Sequence, residues 1–345
     1  MTHSNNYRVV TQEDVARHAG VSRSIVSYVI NNGPRKVSDS TRQRVLAAIK
    51  ELEYRPNKHA QILSSMADLV AEKYIGIVLA GDYMFKRPYY GHILASIHEH
   101  AHQRDLHIRF IRVFDDFSDS ALFNDLIHPD EINGAILLGL DQVVKTAEDR
   151  RLVKQIVDRV EHVVCVEWEW QGIPWVEFDR QDAAYQATKH LLETGRKNVV
   201  YIGPGDKRTE GYHQAMCEQG LDSQSKAFQS FVNSEDGYVI CSQLLQSEII
   251  PDGICAGTDE VAFGVLKCLN QHGYRVPYDV AVTGIDNLDL SAFTIPSLTT
   301  VNVPKDEIGS QAINILVEQQ TGQDPSQLST MIKTQLIIRQ SSSVD

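Results

Sequence analysis

Seven short runs rich in β-branched and other apolar residues punctuate most of this chain, separated by stretches of helical length: IGIVLA from Ile75, HIRFIRVF from His107, GAILLGL from Gly134, HVVCVEW from His162, NVVYIGP from Asn198, GICAGT from Gly253 and DVAVTGID from Asp279. Helical patterns over 91–103, 182–193, 260–271 and 305–319 lie between or after them. This alternation leaves few folds open. Strands joined by helices pair in parallel through crossovers, and the helices cover both faces of the sheet, so a doubly wound α/β body is expected. With 345 residues the chain exceeds the usual domain size of about 100 to 200, and two or three packed units are expected. A hydrophobic share of 42% and a charged share of 23% exclude a collagen-like, coiled-coil or wholly disordered chain. No apolar run reaches the roughly 18 residues of a membrane span, and MTHSNNYRVV has no signal-peptide pattern, so a cytoplasmic location is expected. Five cysteines, widely spaced and without a C-x-x-C pair, indicate neither a disulfide framework nor a zinc site.

Charge divides the chain. Residues 1–66 hold ten Lys/Arg against five acids, whereas the whole chain carries −12. A basic head on an acidic body suggests that only the head meets a polyanion. The head also has the pattern of a helix-turn-helix. Thr11 can cap a first helix bearing Val15, Ala16 and Ala19, and Gly20 breaks it. Ser22 can cap a second helix from Arg23, with Ile25, Val26, Val29 and Ile30 inward and Arg23, Ser24, Ser27 and Tyr28 outside. Asn31 to Pro34 ends it, and a third helix over 38–52 closes the core through Val45, Ile49 and Leu52. Such a second helix enters the major groove with its N-terminal residues at base edges.

The string from Val10 to Leu63 resembles the DNA-binding head and hinge of the LacI/GalR family of bacterial transcription regulators. It carries the DVA-x-x-AGVS turn, VS-x-V-x-N at the end of the recognition helix, VS-x-x-TR-x-RV opening helix three, and Y-x-PN before the hinge. The resemblance implies a head over 9–56, a hinge helix and linker over 57–74, and a body over 75–345. It also implies a hinge that folds only on operator DNA, with Leu63 wedging into the minor groove. Asn57 can cap that hinge helix, with Lys58, Ala60 and Leu63 along it. Arg17, Arg35 and Lys58 suit phosphates, and Thr11, Ser22 and Asn31 complete the candidate DNA contacts. The segment from Ser64 to Tyr74 is longer than the family pattern requires.

The body resembles the family's effector domain, which is similar to two-lobed periplasmic sugar-binding proteins with a cleft between the lobes. The supporting strings are HLLETGRKNVVYIGP, R-x-x-GY at 208–212, TDEVAFGVL, DVAVTGID and PSLTTV. Ligands in open α/β sheets sit beyond the carboxyl ends of strands. The resemblance then implies that Arg208 bonds effector hydroxyls or carboxylates and that Asp286 accepts from sugar hydroxyls. Glu167 stands where an aspartate is common, Phe178 where an aromatic packs on the ligand, and Thr258, followed by Asp259, where an amide is frequent. Tyr90 and Trp175 are further candidates for the cleft wall.

An enzyme would need a nucleophile, a metal or a cofactor loop. The sequence shows no G-x-G-x-x-G after a strand, no G-x-x-x-x-G-K-[ST], no G-x-S-x-G and no metal-ligand spacing among its 13 histidines, so no cofactor and no catalytic residue is expected. A periplasmic transport receptor would have a similar body but an export signal and no basic head. An architectural protein would bend DNA without sensing a ligand. The sequence favours a ligand-responsive regulator, a repressor, acting as a homodimer on palindromic operator DNA with a carbohydrate effector.

Overall fold

A computed structural model describes residues 10–30, 37–52, 54, 73–246 and 250–343. The head begins with α1 (Gln12–Ala19), whose start is a capping box: Thr11 Oγ1 accepts from Asp14 N, and the Asp14 carboxylate accepts from Thr11 N at 2.9 Å. Gly20 ends the helix at φ +65°, a left-handed conformation that costs other residues strain. Next come α2 (Arg23–Ile30) and α3 (Asp39–Glu51), the latter capped by Ser38. Their shared core is Val15, Ala16, Ala19, Val26, Val29, Val45 and Ala48, closed by Tyr54. Ile25, Ile30, Ile49 and Leu52 lie at its margin, only partly buried. Tyr54 is the aromatic of Y-x-PN, and it is the residue of that motif that packs in the head core.

The described chain divides into two compact units, one taking the residues up to Gly81, the head included, with Ala101–Val163, the other Asp82–His100 with Val164 onward. The first contains β1 (Lys73–Leu79), the end of α4 (Pro88–Gln103), β2 (Leu106–Val113), α5 (Ser120–Leu126), β3 (Gly134–Leu138) and α6 (Ala147–Arg159). Here β1 lies between β2 and β3, parallel to both. It starts at Lys73 rather than Ile75, because Lys73 and Tyr74 already pair with Leu106 and His107. Tyr74, assigned from the sequence to the linker, therefore belongs to the strand.

The boundary falls within β4 (His162–Val166), and the second unit goes on through β5 (Trp175–Phe178), α7 (Arg180–Glu193), β6 (Val199–Gly203), α8 (Lys207–Glu218), β7 (Lys226–Gln229) and α9 (Ser234–Leu245). It then runs through β8 (Gly253–Ala256), α10 (Asp259–Gln271), β9 (Ala281–Asp286), β10 (Thr299–Asn302), α11 (Lys305–Gln320), β11 (Thr330–Ile332) and β12 (Gln335–Ile337). β5 lies between β4 and β11, all parallel. A six-stranded sheet has the order β12-β10-β9-β8-β6-β7, parallel except for β12. Among these, β6, β8 and β9 are buried along their whole length, as strands covered on both faces must be. Seven strands were legible as apolar runs, and QLIIR announces β12. The short β5, β7, β10 and β11 were not, since β7 is largely exposed and β11 has three residues.

The final serines are not a loose end. Ser341 Oγ donates to the Val282 carbonyl at 2.6 Å, and Ser342 Oγ meets His190 Nε2 at 2.7 Å, both serines being buried. Among the described residues no helix is long and apolar enough to cross a membrane.

The R-x-x-GY string is partly architectural. Tyr212 is fully buried, its hydroxyl donating to the Val199 carbonyl and accepting from Lys226 N, both at 2.8 Å, so it ties β6 to β7. At Gly211, α8 crosses α7 so closely that a Cβ would stand 1.9 Å from the Gln181 carbonyl oxygen. Gly211→Ala is therefore expected to destabilise the second unit by about 3 kcal/mol, because the obstacle is backbone and cannot rotate away. Urea unfolding of wild type and variant checks this.

Candidate functional site

On the head, Arg23 and Ser24 are exposed at the start of α2, and Ser27 and Tyr28 are half-buried one turn on. Ser22 is exposed, and its carbonyl accepts from Ile25 and Val26 to open the helix. Thr11 is committed to its capping box, and Arg17 pairs at 3.3 Å with Asp14 with most of its side chain in solvent. His18 meets Glu51 at 2.6 Å, tying α1 to α3. Asn31, Asn57, Lys58, Ala60 and Leu63 lie outside the described residues, so the hinge assignments have no structural counterpart here.

In the second unit, buried charge gathers where strands end. Glu167 follows β4, Phe178 ends β5, Arg208 lies in the first turn of α8 after β6, Asp259 opens α10 after β8, and Asp286 ends β9. The helix starts are set by caps from the sequence: Asp179 for α7, Asp206 for α8 and Thr258 for α10. Thr258 Oγ1 is occupied by this duty, accepting from Val261 N at 3.3 Å. That accounts for a threonine where sequence resemblance led to an amide.

Phe178 is buried with two guanidiniums over its ring, Arg180 at 5.2 Å and Arg208 at 5.8 Å from its centroid. Arg180 donates to Glu177 at 2.8 Å and to the Glu167 carbonyl at 2.9 Å. Arg208 pairs with Asp206 at 3.6 Å. The Tyr89 hydroxyl donates to the Glu167 carboxylate, Tyr90 stands edge-on to Tyr89, and Arg87 lies over Tyr90 while pairing with Glu260 at 2.7 Å. Lys305 donates to the carbonyls of Asp286 and Val303. Burial pulls its ammonium below the usual lysine range, against the pull of Asp286 and Asp259.

Asp259 is wholly enclosed, with its carboxylate accepting from Ser291 Oγ at 2.6 Å, Leu288 N at 2.8 Å and Thr300 Oγ1. It thus fixes the turn after β9 and has no free oxygen to offer a ligand. Asp286 beside it differs. Its Oδ2 is buried without a hydrogen-bond partner, as is Arg208 Nε. Burial, then the Asp259 charge, push the Asp286 carboxyl well above the ordinary carboxylate range, opposed by Arg208, Arg87 and Lys305.

Four described non-glycine residues have left-handed φ, and three are at these strand ends: Glu167 (63°), Asp286 (123°) and Asn287 (50°). Such conformations cost about 1–3 kcal/mol each and persist where surrounding contacts fix them. Here Val176 holds the Glu167 N–H, and Thr300 and Arg339 hold Asn287.

Trp175 is not in this cluster. It opens β5 at the end opposite Phe178 and lines a surface groove with Trp170, Ile173, Pro325 and Ser329. Sequence reasoning missed Arg87, Arg180, Glu177, Asp206, Glu260 and Lys305. The available signal was position: each of these except Arg87 and Glu177 falls within a few residues after a strand. Among the described residues no three His, Cys, Asp or Glu side chains converge on a possible metal position.

Residues 11–57 match the model for bacterial regulatory proteins of the lacI family, and residues 188–342 match a periplasmic binding protein-like domain. The HTH-type transcriptional repressor PurR of Haemophilus influenzae (strain PittEE) is 30% identical over 344 residues, covering 96% of this chain and 98% of the relative. The ribose operon repressor of Escherichia coli (strain K12) is 30% identical over 335 residues, covering 91% and 94%. A structure of the transcriptional regulator CelR with cellobiose superposes with a TM-score of 0.67 at 25% identity, covering 96% of this chain and 99% of that one. The Lac repressor dimer bound to operator shares the fold, with a TM-score of 0.69 at 23% identity and coverage of 98% and 100%. The chain belongs to the lacI family of bacterial regulatory proteins.

The state of Asp286 gives a test. A carboxyl whose proton affinity is raised by folding stabilises the native state in its protonated form, and that contribution is lost as pH rises through the raised value. Asp286→Asn removes the charge while keeping shape. The melting temperature of the body in Asp286→Asn relative to wild type is expected to rise from pH 5 to pH 9. Thermal unfolding across that range reads it, and a flat difference would place the native carboxyl in the ordinary range.

Proposed function

We propose that this chain is a transcriptional repressor, not an enzyme, whose operator affinity is controlled by a small molecule, a sugar or sugar derivative, bound at the strand ends of the second unit. The observation that carries this reading is the pair of buried, unpartnered polar atoms, Arg208 Nε and Asp286 Oδ2, in one charged cluster. A buried polar atom without a partner costs about 1–3 kcal/mol, and a bound hydroxyl-bearing ligand removes that cost. The names of two comparison proteins support a sugar: one is a repressor of a ribose operon, and the other is seen with cellobiose.

In this reading 9–56 form the DNA-reading head, 57–72 the hinge and linker, and the body starts at Lys73. Arg23 reads a base edge from α2, and Leu63 wedges into the minor groove. The active form is a homodimer on palindromic DNA in the bacterial cytoplasm. Support for self-association comes from the loop after β9, where Leu290 (55%), Phe293 (79%) and Ile295 (93%) are exposed within six residues. A two-fold axis would place this loop against its own copy and match a two-fold operator.

Two variants separate the functions. Arg23→Ala is expected to cost about 1–3 kcal/mol of operator affinity and to lower the ratio of operator to random-DNA binding. Arg208→Ala is expected to leave effector-free operator binding intact and abolish the response to effector. Fluorescence anisotropy with labelled operator, with and without ribose or cellobiose, measures both. An unchanged ratio for Arg23→Ala would remove α2 from the groove, and a normal effector response in Arg208→Ala would remove the effector from this cluster.

A further inference from the structure

The tryptophans of this chain stand apart from the charged cluster, and they stand together. There are three, Trp168, Trp170 and Trp175, all between the end of β4 and the first residue of β5. Cys165 pairs with Trp175 in parallel register, so the chain leaving β4 must double back to the start of β5. It does so through a tight turn in which Ile173 N donates to the Trp170 carbonyl at 3.0 Å and Gly172 takes a φ of 79°. The turn lays Trp170 against the buried Trp168, ring centroids 5.8 Å apart, while Trp175 N donates to Ser329 Oγ at 3.2 Å.

Two half-buried indoles are thereby fixed, one through its ring and one through its backbone. With Ile173 and Pro325 they line a groove of about 500 Å³. Among the described residues no lysine, arginine or histidine lines it, and the one ionisable residue there is Glu169, which is exposed.

That combination selects for charge. The face of an indole attracts a cation more strongly than any other aromatic side chain does, and a nearby carboxylate adds to the attraction. An anion would meet the ring faces and Glu169 with no opposite charge to offset its lost hydration. A quaternary ammonium suits the groove better than a primary one, because its methyl groups pack on the rings and leave water favourably while the positive charge remains.

We propose that this groove is a second ligand site, separate from the cluster at the opposite end of β5, and that it binds small molecules carrying a quaternary ammonium group. The indoles of Trp170 and Trp175 receive the cationic head, and Glu169 neutralises it.

Intrinsic fluorescence reads this groove directly, because the only tryptophans of the chain are the two that line it and the one packed on Trp170. The full chain is titrated with choline and with tetramethylammonium at fixed ionic strength, against 3,3-dimethylbutan-1-ol, the uncharged isostere of choline. Choline is expected to give a saturable change in emission, and the alcohol to bind about tenfold more weakly or worse. Glu169→Gln is expected to weaken choline binding about threefold, and Trp175→Ala about tenfold, the remaining tryptophans serving as reporters. If Trp175→Ala does not fold, the exposed Glu169→Gln decides alone.

No saturable change with either cation would overturn the proposal. Equal binding of the alcohol would do so too, by making the groove an apolar one without charge preference. Ribose or cellobiose binding there in preference to choline would also overturn it. A choline response that the folded variants leave unchanged would place the ligand elsewhere, with the same consequence.

Discussion

The Asp259 carboxylate is the constraint on which the candidate site depends. It sits at the first position of α10, where the helix dipole favours an anion, and receives three hydrogen bonds from the segment following β9. Two of them, from Leu288 and Ser291, fix the turn that begins at Asp286 and Asn287. The left-handed conformations there are sustained by this attachment. Removing the Asp259 carboxylate would release the turn, and Asp286 with it, so Asp259 positions the ligand-facing carboxyl without facing a ligand.

The same division between holding and facing recurs through the cluster. Thr258 and Asp206 begin helices, and Glu177 restrains Arg180 over Phe178. Two buried polar atoms of the strand ends are left without a hydrogen-bond partner, Arg208 Nε and Asp286 Oδ2.

Much of this was legible beforehand, and the failures have physical causes. The head was readable residue by residue because caps and breakers are local: Thr11, Gly20 and Ser38 act within four residues of themselves. Glu167, Arg208 and Asp286 end or follow the apolar runs of β4, β6 and β9, and family resemblance singled them out there, as it did Phe178 at the end of the short β5. Arg180 and Lys305 were missed because their meaning lies in partners distant in sequence, and a cation after a strand looks like any solvated one. Trp175 lies apart from the cluster because it opens β5 and Phe178 ends it, and which end of a four-residue strand meets the other strand ends depends on strand direction in the built sheet. Nothing local in the sequence shows that Ser341 and Ser342 bond Val282, His190 and Thr299, whose positions are set by the folded sheet.

The helices α9 and α10 meet in a way that affects motion. A Cβ on Gly264 would lie 1.9 Å from the Ser234 carbonyl oxygen, and one on Gly237 would lie 2.3 Å from that of Val261. Each helix thus presses a bare Cα–H against a carbonyl of the other, an arrangement suited to weak Cα–H···O bonds at both points. Two such points, one near the start of α9 and one in mid-α10, fix both separation and slide. No side chain there can change rotamer to let the helices slip. The pair should therefore move as a single stiff plate, transmitting displacement along its length instead of absorbing it.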